Sequence, residues 1–212
     1  MKGRELKVEL HLHTSRYSAC AAATPQELMR RLIECGYGAV YITEHDAVWA
    51  DWEIEQLQAG FPAIRVFPGI EKSIIDEEHV KHIVVLGTTD PAYLKLGDEA
   101  AVLAKARAEG HLSVLAHPFR WPGGGYMLAA GHLPDALEHR TGNHDATRAK
   151  IAAGSAEQYN LRMVNSGDTH GVEMLGRFWI ETFEPIERPD DIRGLVAAGA
   201  YRNCAAEEEE QQ

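Results

Sequence analysis

Eight side chains able to hold metal ions recur at the ends of short apolar runs. His11 and His13 close the first run, and Glu44-His45-Asp46 closes the second. Glu71 follows the third, His82 lies at the fourth, and His117 ends the fifth. Asp168 and His170 follow a later one. Two histidines two residues apart on a strand share a face, close enough to bind one ion. A single His-x-His pair is weak, because half-exposed histidines on a strand give the same pattern. Six histidines and two acids, all at run ends, are a different matter and point to a metal centre. Imidazole and carboxylate without thiolate suit zinc, manganese or iron, and the sequence does not choose among them. A carboxylate such as Glu71 can bridge two ions, as hydrolases with paired metals require.

Positioning these residues calls for alternating strands and helices. Lys7 to Leu12 alternates polar and apolar residues, with Val8, Leu10 and Leu12 on one face, and reads as a strand. Thr24-Pro25-Gln26-Glu27 combines a capping threonine, a first-turn proline and a capping-box glutamate, so a helix starts there. Leu28, Met29, Leu32 and Ile33 then give it one apolar face, and Gly36 ends it. Further strands are expected over residues 39–43, 64–67, 82–86, 112–116, 136–139, 163–165 and 178–183. Helices are expected over 51–59, 98–109, 143–159 and 189–198. This alternation implies parallel strands with right-handed crossovers, whose C-terminal edge is where sites are built. Gly123-Gly124-Gly125, after Trp121-Pro122, reads as a flexible loop and a candidate lid.

The chain has 212 residues and a formal net charge of −11. Four of those charges sit in Glu207 to Glu210, and the body remains acidic without them. That balance weighs against a nucleic-acid groove of lysine and arginine, although bound cations can reverse the local sign for an anionic substrate. Cys20, Cys35 and Cys204 lack a C-x-x-C spacing and read as small buried hydrophobes rather than disulfides or zinc ligands. No run reaches the ~18 apolar residues of a membrane span, and the N-terminus has no signal-peptide core, so a cytoplasmic protein is expected. One domain over residues 1–203 is expected, with an acidic flexible tail over 204–212.

Taken in order, the motifs resemble those of the PHP family, named for polymerase and histidinol phosphatase domains. They are Glu-Leu-His-Leu-His at 9–13, Ile-Thr-Glu-His-Asp at 42–46 and Pro-Gly-Ile-Glu at 68–71. His82, Leu-Ala-His-Pro-Phe-Arg at 115–120 and Asn-Ser-Gly-Asp-Thr-His at 165–170 follow. The resemblance runs from Val8 to about Tyr201. It implies a distorted (β/α)7 barrel of TIM-barrel-like α/β type, with phosphoester hydrolysis at two or three divalent metal ions. Carried over residue by residue, His11, His13, Glu71 and Asp168 would hold a first ion. Glu71 would bridge to a second, bound also by His82 and His117, and His45 and His170 would hold a third. The sequence departs from the family in the loop after His13, where Ser-Asp-Gly or a histidine is usual. Here it reads Thr14 to Cys20, offering only Ser18 and Cys20. Glu44 stands where many members have aspartate.

In such a site Arg120, just past His117-Pro118-Phe119, is placed to pair a phosphate through its planar fork of donors. Arg16 and Lys72 are weaker candidates, and all three also fit ordinary surface ion pairs. Asp168 or His170 is placed to protonate a leaving alkoxide. His79, His111, His132, His139 and His144 lack that placement and read as structural. Trp121 is placed to line a substrate pocket. Three functions fit: a phosphoesterase acting on a small phosphorylated metabolite or nucleotide, an amidohydrolase-like enzyme cleaving amides or lactones, and a non-catalytic metal-binding module. The order of the motifs favours the first over the second, and the nearly complete set of ligands ranks the third last.

Overall fold

Strand and helix alternate through most of the computed structural model, which describes residues 5–76, 79–121 and 123–206. The strands are β1 (Leu6–Leu12), β2 (Ala39–Ile42), β3 (Arg65–Ile75), β4 (Val80–Leu86), β5 (Leu112–Ala116), β6 (Ala136–Glu138), β7 (Arg162–Val164), β8 (Phe178–Thr182) and β9 (Tyr201–Ala205). The helices are α1 (Pro25–Glu34), α2 (Asp51–Gly60), α3 (Glu99–Glu109), α4 (Gly123–Ala129), α5 (Ala146–Tyr159) and α6 (Asp191–Ala198). The expected capping box forms: Thr24 Oγ1 accepts from Glu27 N while Glu27 Oε2 accepts from Thr24 N.

All nine strands form one sheet in the order β7-β6-β5-β4-β3-β2-β1-β8-β9, curled into a nearly closed barrel. The expected barrel is therefore present, but it is not all parallel. β1, β2 and β3 run parallel, as do β5, β6 and β7. β4 is antiparallel to both β3 and β5, and β8 is antiparallel to β1 and β9. The cause is local: no crossover helix separates β3 from β4, so the chain must return as a hairpin. β9 was not expected from the sequence, because Tyr201 to Ala205 lies at the sheet's edge, half exposed, without apolar alternation. The acidic tail expected from 204 overlaps the end of that strand, and residues 207–212 lie outside the described ones.

Side chains bridge the gap between the outermost strands, β7 and β9. Asn165 N donates to Asn203 Oδ1 at 2.6 Å, Asn165 Nδ2 to the Cys204 carbonyl at 2.9 Å, and Tyr201 OH to the Met163 carbonyl at 2.6 Å. Inside the barrel, Val8, Leu10, Tyr41, Val84, Val164 and Ile180 share one buried cluster. Two further clusters fill the layers between sheet and helices.

Two smaller expectations fail. The glycine run is not a loop but the start of α4. A Cβ on Gly124 would overlap the Pro118 carbonyl oxygen, and one on Gly123 would lie 2.5 Å from the Val80 carbonyl oxygen. Close packing of this helix on the strands demands glycine there, against its low helix propensity. The cysteines are not buried: Cys20 is exposed in a loop, and Cys35 and Cys204 are half-buried. No helix among the described residues is long and apolar enough to cross a membrane.

Candidate metal centre

β1 carries the first pair of histidines, but not by simple alternation. Val8 and Leu10 face the barrel interior, whereas Leu12 packs in the outer layer beneath α1 and α2. The β1–β2 register is irregular between Glu9 and Leu12. Unbroken alternation from Leu10 would turn His11 and His13 outward. The irregularity turns both inward, where their Nε2 atoms lie 2.9 Å apart.

Glu71 is not beyond the third strand but inside β3, fully buried. His82 stands near the start of β4, opposite Ser73, and reaches the same rim because β4 runs backwards. His117 and Asp168 take backbone φ of +27° and +48°, and Asp46, next to His45, takes +45°. Non-glycine residues rarely adopt such angles, and their concentration at three strand ends marks this rim as strained.

The eight expected ligands converge. Glu71 Oε1 lies 2.7 Å from His82 Nδ1 and 3.1 Å from His117 Nε2. Glu71 Oε2 is approached by His45 Nδ1 at 2.8 Å, His13 Nε2 at 3.2 Å and His11 Nε2 at 3.3 Å. Asp168 Oδ1 lies 3.4 to 3.5 Å from ring nitrogens of His11, His13 and His170. Three groups have ligand atoms within 4.8 Å of one another: His11-His13-Asp168, His45-Glu71-His82 and His13-His45-His170. The histidines read as structural fall outside them. His111 pairs with Asp190, His79 packs against Tyr126, and His144 lies between the His139 carbonyl and Phe119 N.

These residues fit divalent cations on a direct observation. Glu71 Oε2 and Asp168 Oδ1 are buried, and neither receives a well-directed hydrogen bond, although several ring nitrogens crowd around each. Groups this buried are nearly always paired. Nitrogen and oxygen lone pairs aimed at common points are what a cation between them requires, and the absence of thiolate suits zinc, manganese or iron.

Electrostatics of the metal-free protein agree. Burial would raise the carboxyl of Glu71, but the surrounding imidazoles outweigh it and hold the group well below the usual range. Asp168 is lowered in the same way. Burial opposes charge on His11, yet Asp168, Glu71 and Glu138 push it well above the ordinary histidine value. His170 is lowered, by burial and by its neighbour His13.

Two buried acids that the sequence did not mark as anchors support the candidate ligands, Glu138 directly and Glu44 through the loop from Thr14 to Ser18. Glu138, on β6, accepts from His11 Nδ1 at 2.7 Å, from His117 N at 2.6 Å and from Ser166 Oγ. Glu44 accepts from Thr14 N at 3.1 Å, Thr14 Oγ1 at 2.5 Å, Ser18 Oγ at 2.6 Å and Trp49 Nε1 at 3.1 Å. Ser18, one of the two candidates for the missing third-site ligand, is thus committed to the Glu44 network and lies 3.3 Å from His13 Nδ1. Cys20 is exposed and belongs to none of the three groups.

Of the three cationic candidates, Arg16 is bound to Glu53 and Lys72 pairs with Asp46 at 2.5 Å. Arg120 is exposed, with its guanidinium 4.5 Å from the centre of the Trp121 ring. Trp121 in turn packs on His82 and His117, with ring centres 5.1 and 5.3 Å away, so it does wall the site.

No protein-family model matches the chain. The chain is 33% identical over 132 residues to the 5'-3' exoribonuclease Rnm of Salmonella typhimurium LT2, a match covering 61% of this chain. It spans only 40% of that relative's length. A two-domain protein of Bacteroides vulgatus containing a predicted PHP-like metal-dependent phosphoesterase superposes with a TM-score of 0.70 and 17% identity, over 96% of this chain and 66% of that one. An amidohydrolase of Chromobacterium violaceum, solved with bound sulfate and no metal, gives 0.66 and 17%, over 88% and 96%.

Proposed function

The chain has the PHP-like fold its motifs resemble, and on that premise we propose that it is a metal-dependent phosphoesterase acting on a small phosphorylated metabolite or nucleotide. The observation that carries this reading is the pair of buried, unpartnered carboxylate oxygens, Glu71 Oε2 and Asp168 Oδ1, ringed by imidazoles. His11, His13, Glu71 and Asp168 would hold one ion, and Glu71, His82 and His117 a second. His45 and His170 would hold a third, with His13 as the further member of their group.

Bound divalent ions lower the pKa of water and offset the charge of a transferring phosphoryl group. The chain's own groups do the rest. Glu71 and Asp168 stay ionised through the neutral range, so both offer oxygen donors without losing a proton first. Arg120, the one of three candidates with no carboxylate partner among the described residues, pairs with phosphate oxygens from the rim. Trp121 keeps water from one side of the site. His170, partly open to solvent and biased towards its neutral form, would relay a proton from solvent to the leaving oxygen where the third ion is not bound, while Asp168 stays ionised and serves as an oxygen donor to the first ion.

The likeness to an exoribonuclease supports a second reading, in which the ester cut is at the 5' end of an RNA. An acidic chain has little to hold a long strand by counterion release, which favours the small ester. Protein reconstituted with Mn2+ or Zn2+ is to be assayed on a generic phosphate monoester, on nucleoside monophosphates and on 5'-labelled RNA. Release of phosphate from the small esters, lost in His11→Ala, is the expected result. Mononucleotides released only from RNA would favour the second reading. Fully metallated protein that cuts none of them would refute phosphoester hydrolysis and return attention to amides and lactones.

A further inference from the structure

We infer that Glu138 is a positioning residue that sets the metal-binding geometry of His11 and His117 together. This inference rests on the metal-centre reading above. Glu138 ends the three-residue strand β6, and β5, β4, β3 and β2 separate it from β1 along the sheet. Its side chain crosses the barrel interior instead, and is almost completely buried.

The two carboxylate oxygens have separate duties. Oε1 lies 2.7 Å from His11 Nδ1 and also accepts from Ser166 Oγ. Oε2 accepts from His117 N at 2.6 Å. A carboxylate on Nδ1 keeps the hydrogen there and leaves the lone pair on Nε2, the atom facing His13, Glu71 and Asp168. The second oxygen acts on backbone rather than on a ring. His117 holds φ at +27°, an unfavourable angle for any residue with a side chain, and its N–H is fixed on Glu138. One acid thus orients one ligand of the first expected ion and one of the second.

A glutamine fills the same volume but has one accepting oxygen and one donating NH2. It cannot accept on both sides, so Glu138→Gln must leave either His11 Nδ1–H or His117 N–H facing a donor. Ser166→Ala removes only the third bond, leaves both ligands held, and serves as the control.

The test is zinc titration of metal-stripped wild type, Glu138→Gln and Ser166→Ala, read by calorimetry and by counting bound ions. It is paired with nitrogen-15 NMR of the zinc-loaded wild type. The expected result is affinity lowered about 10- to 100-fold in Glu138→Gln, the range for lost outer partners of metal ligands, and little change in Ser166→Ala. In wild type, His11 should bind zinc through Nε2 and show a slowly exchanging Nδ1–H. Wild-type affinity in Glu138→Gln, or zinc on His11 Nδ1, would overturn the inference while leaving the metal centre intact. The NMR result decides alone if Glu138→Gln does not fold. A wild type that takes up no ion would overturn the metal-centre reading and the inference with it.

Discussion

The two halves of the ligand ring are built differently. In the inner half, His11, His82 and His117 are buried around Glu71, and Glu138 holds two of them directly with charged hydrogen bonds. In the outer half, the rings of His45 and His170 are 29% and 21% exposed. His170 leans on a backbone carbonyl, and Glu44 acts only through the loop from Thr14 to Ser18. Direct, buried anchoring fixes ligand geometry in advance, whereas anchoring through a loop leaves it to be completed on binding. The inner pair of sites should therefore bind tightly, and the outer one weakly.

The largest effect should come from the residue common to both halves. Glu71→Gln removes the shared carboxylate and should lower bound metal at every site and activity by more than about 100-fold, beyond the loss of an outer partner. Retention of two tightly bound ions in that variant would break the comparison. His170→Ala should act on the outer half alone. We expect one ion fewer by metal analysis, with the remaining affinity unchanged and activity down about 10-fold, the low end of that range. Simultaneous loss of all ions would show that the halves are not independent.

A smaller effect concerns pH in the metal-free protein. His11 is raised above its unfolded value of 6.5, so its contribution is complete below 6.5 and is lost as pH rises through the folded value. Glu9, buried beneath the centre, is raised from 4.5 to about 7 by burial, and it too disfavours the folded state as pH rises through that window. Glu71 is lowered, and its contribution is lost only in strong acid. Thermal unfolding of metal-stripped protein should show melting temperature falling from pH 6 to pH 9. Zinc affinity should rise over the same span, because binding expels the protons. A flat or rising melting temperature would contradict this balance.

The candidate ligands were legible in the sequence because each sits in a short motif where a strand meets the rim, and the structure brings all eight together. What it concealed is what holds and aims them. Glu138 has its partners 127, 21 and 28 residues away, and nothing in Ala-Leu-Glu marks one acid as an anchor. A register irregularity in β1 is invisible to an alternation count, which placed Val8, Leu10 and Leu12 on one face although the structure divides them. The reversed direction of β4 could have been suspected from the lack of any helical pattern between Ile75 and Val80. The glycines of α4 spoke for flexibility, whereas the close approach of Pro118 explains Gly124 and that of Val80 explains Gly123.

The central claim is that the ring from His11 to His170 is a metal centre with a tight inner half. Anomalous X-ray scattering from crystals of zinc- or manganese-loaded protein tests it most directly. The account predicts full-occupancy peaks bounded by His11, His13, Glu71 and Asp168 and by Glu71, His82 and His117, with a weaker peak near His45 and His170. Loaded crystals with no peak inside the ring, or with the strongest one at His45 and His170, would contradict it.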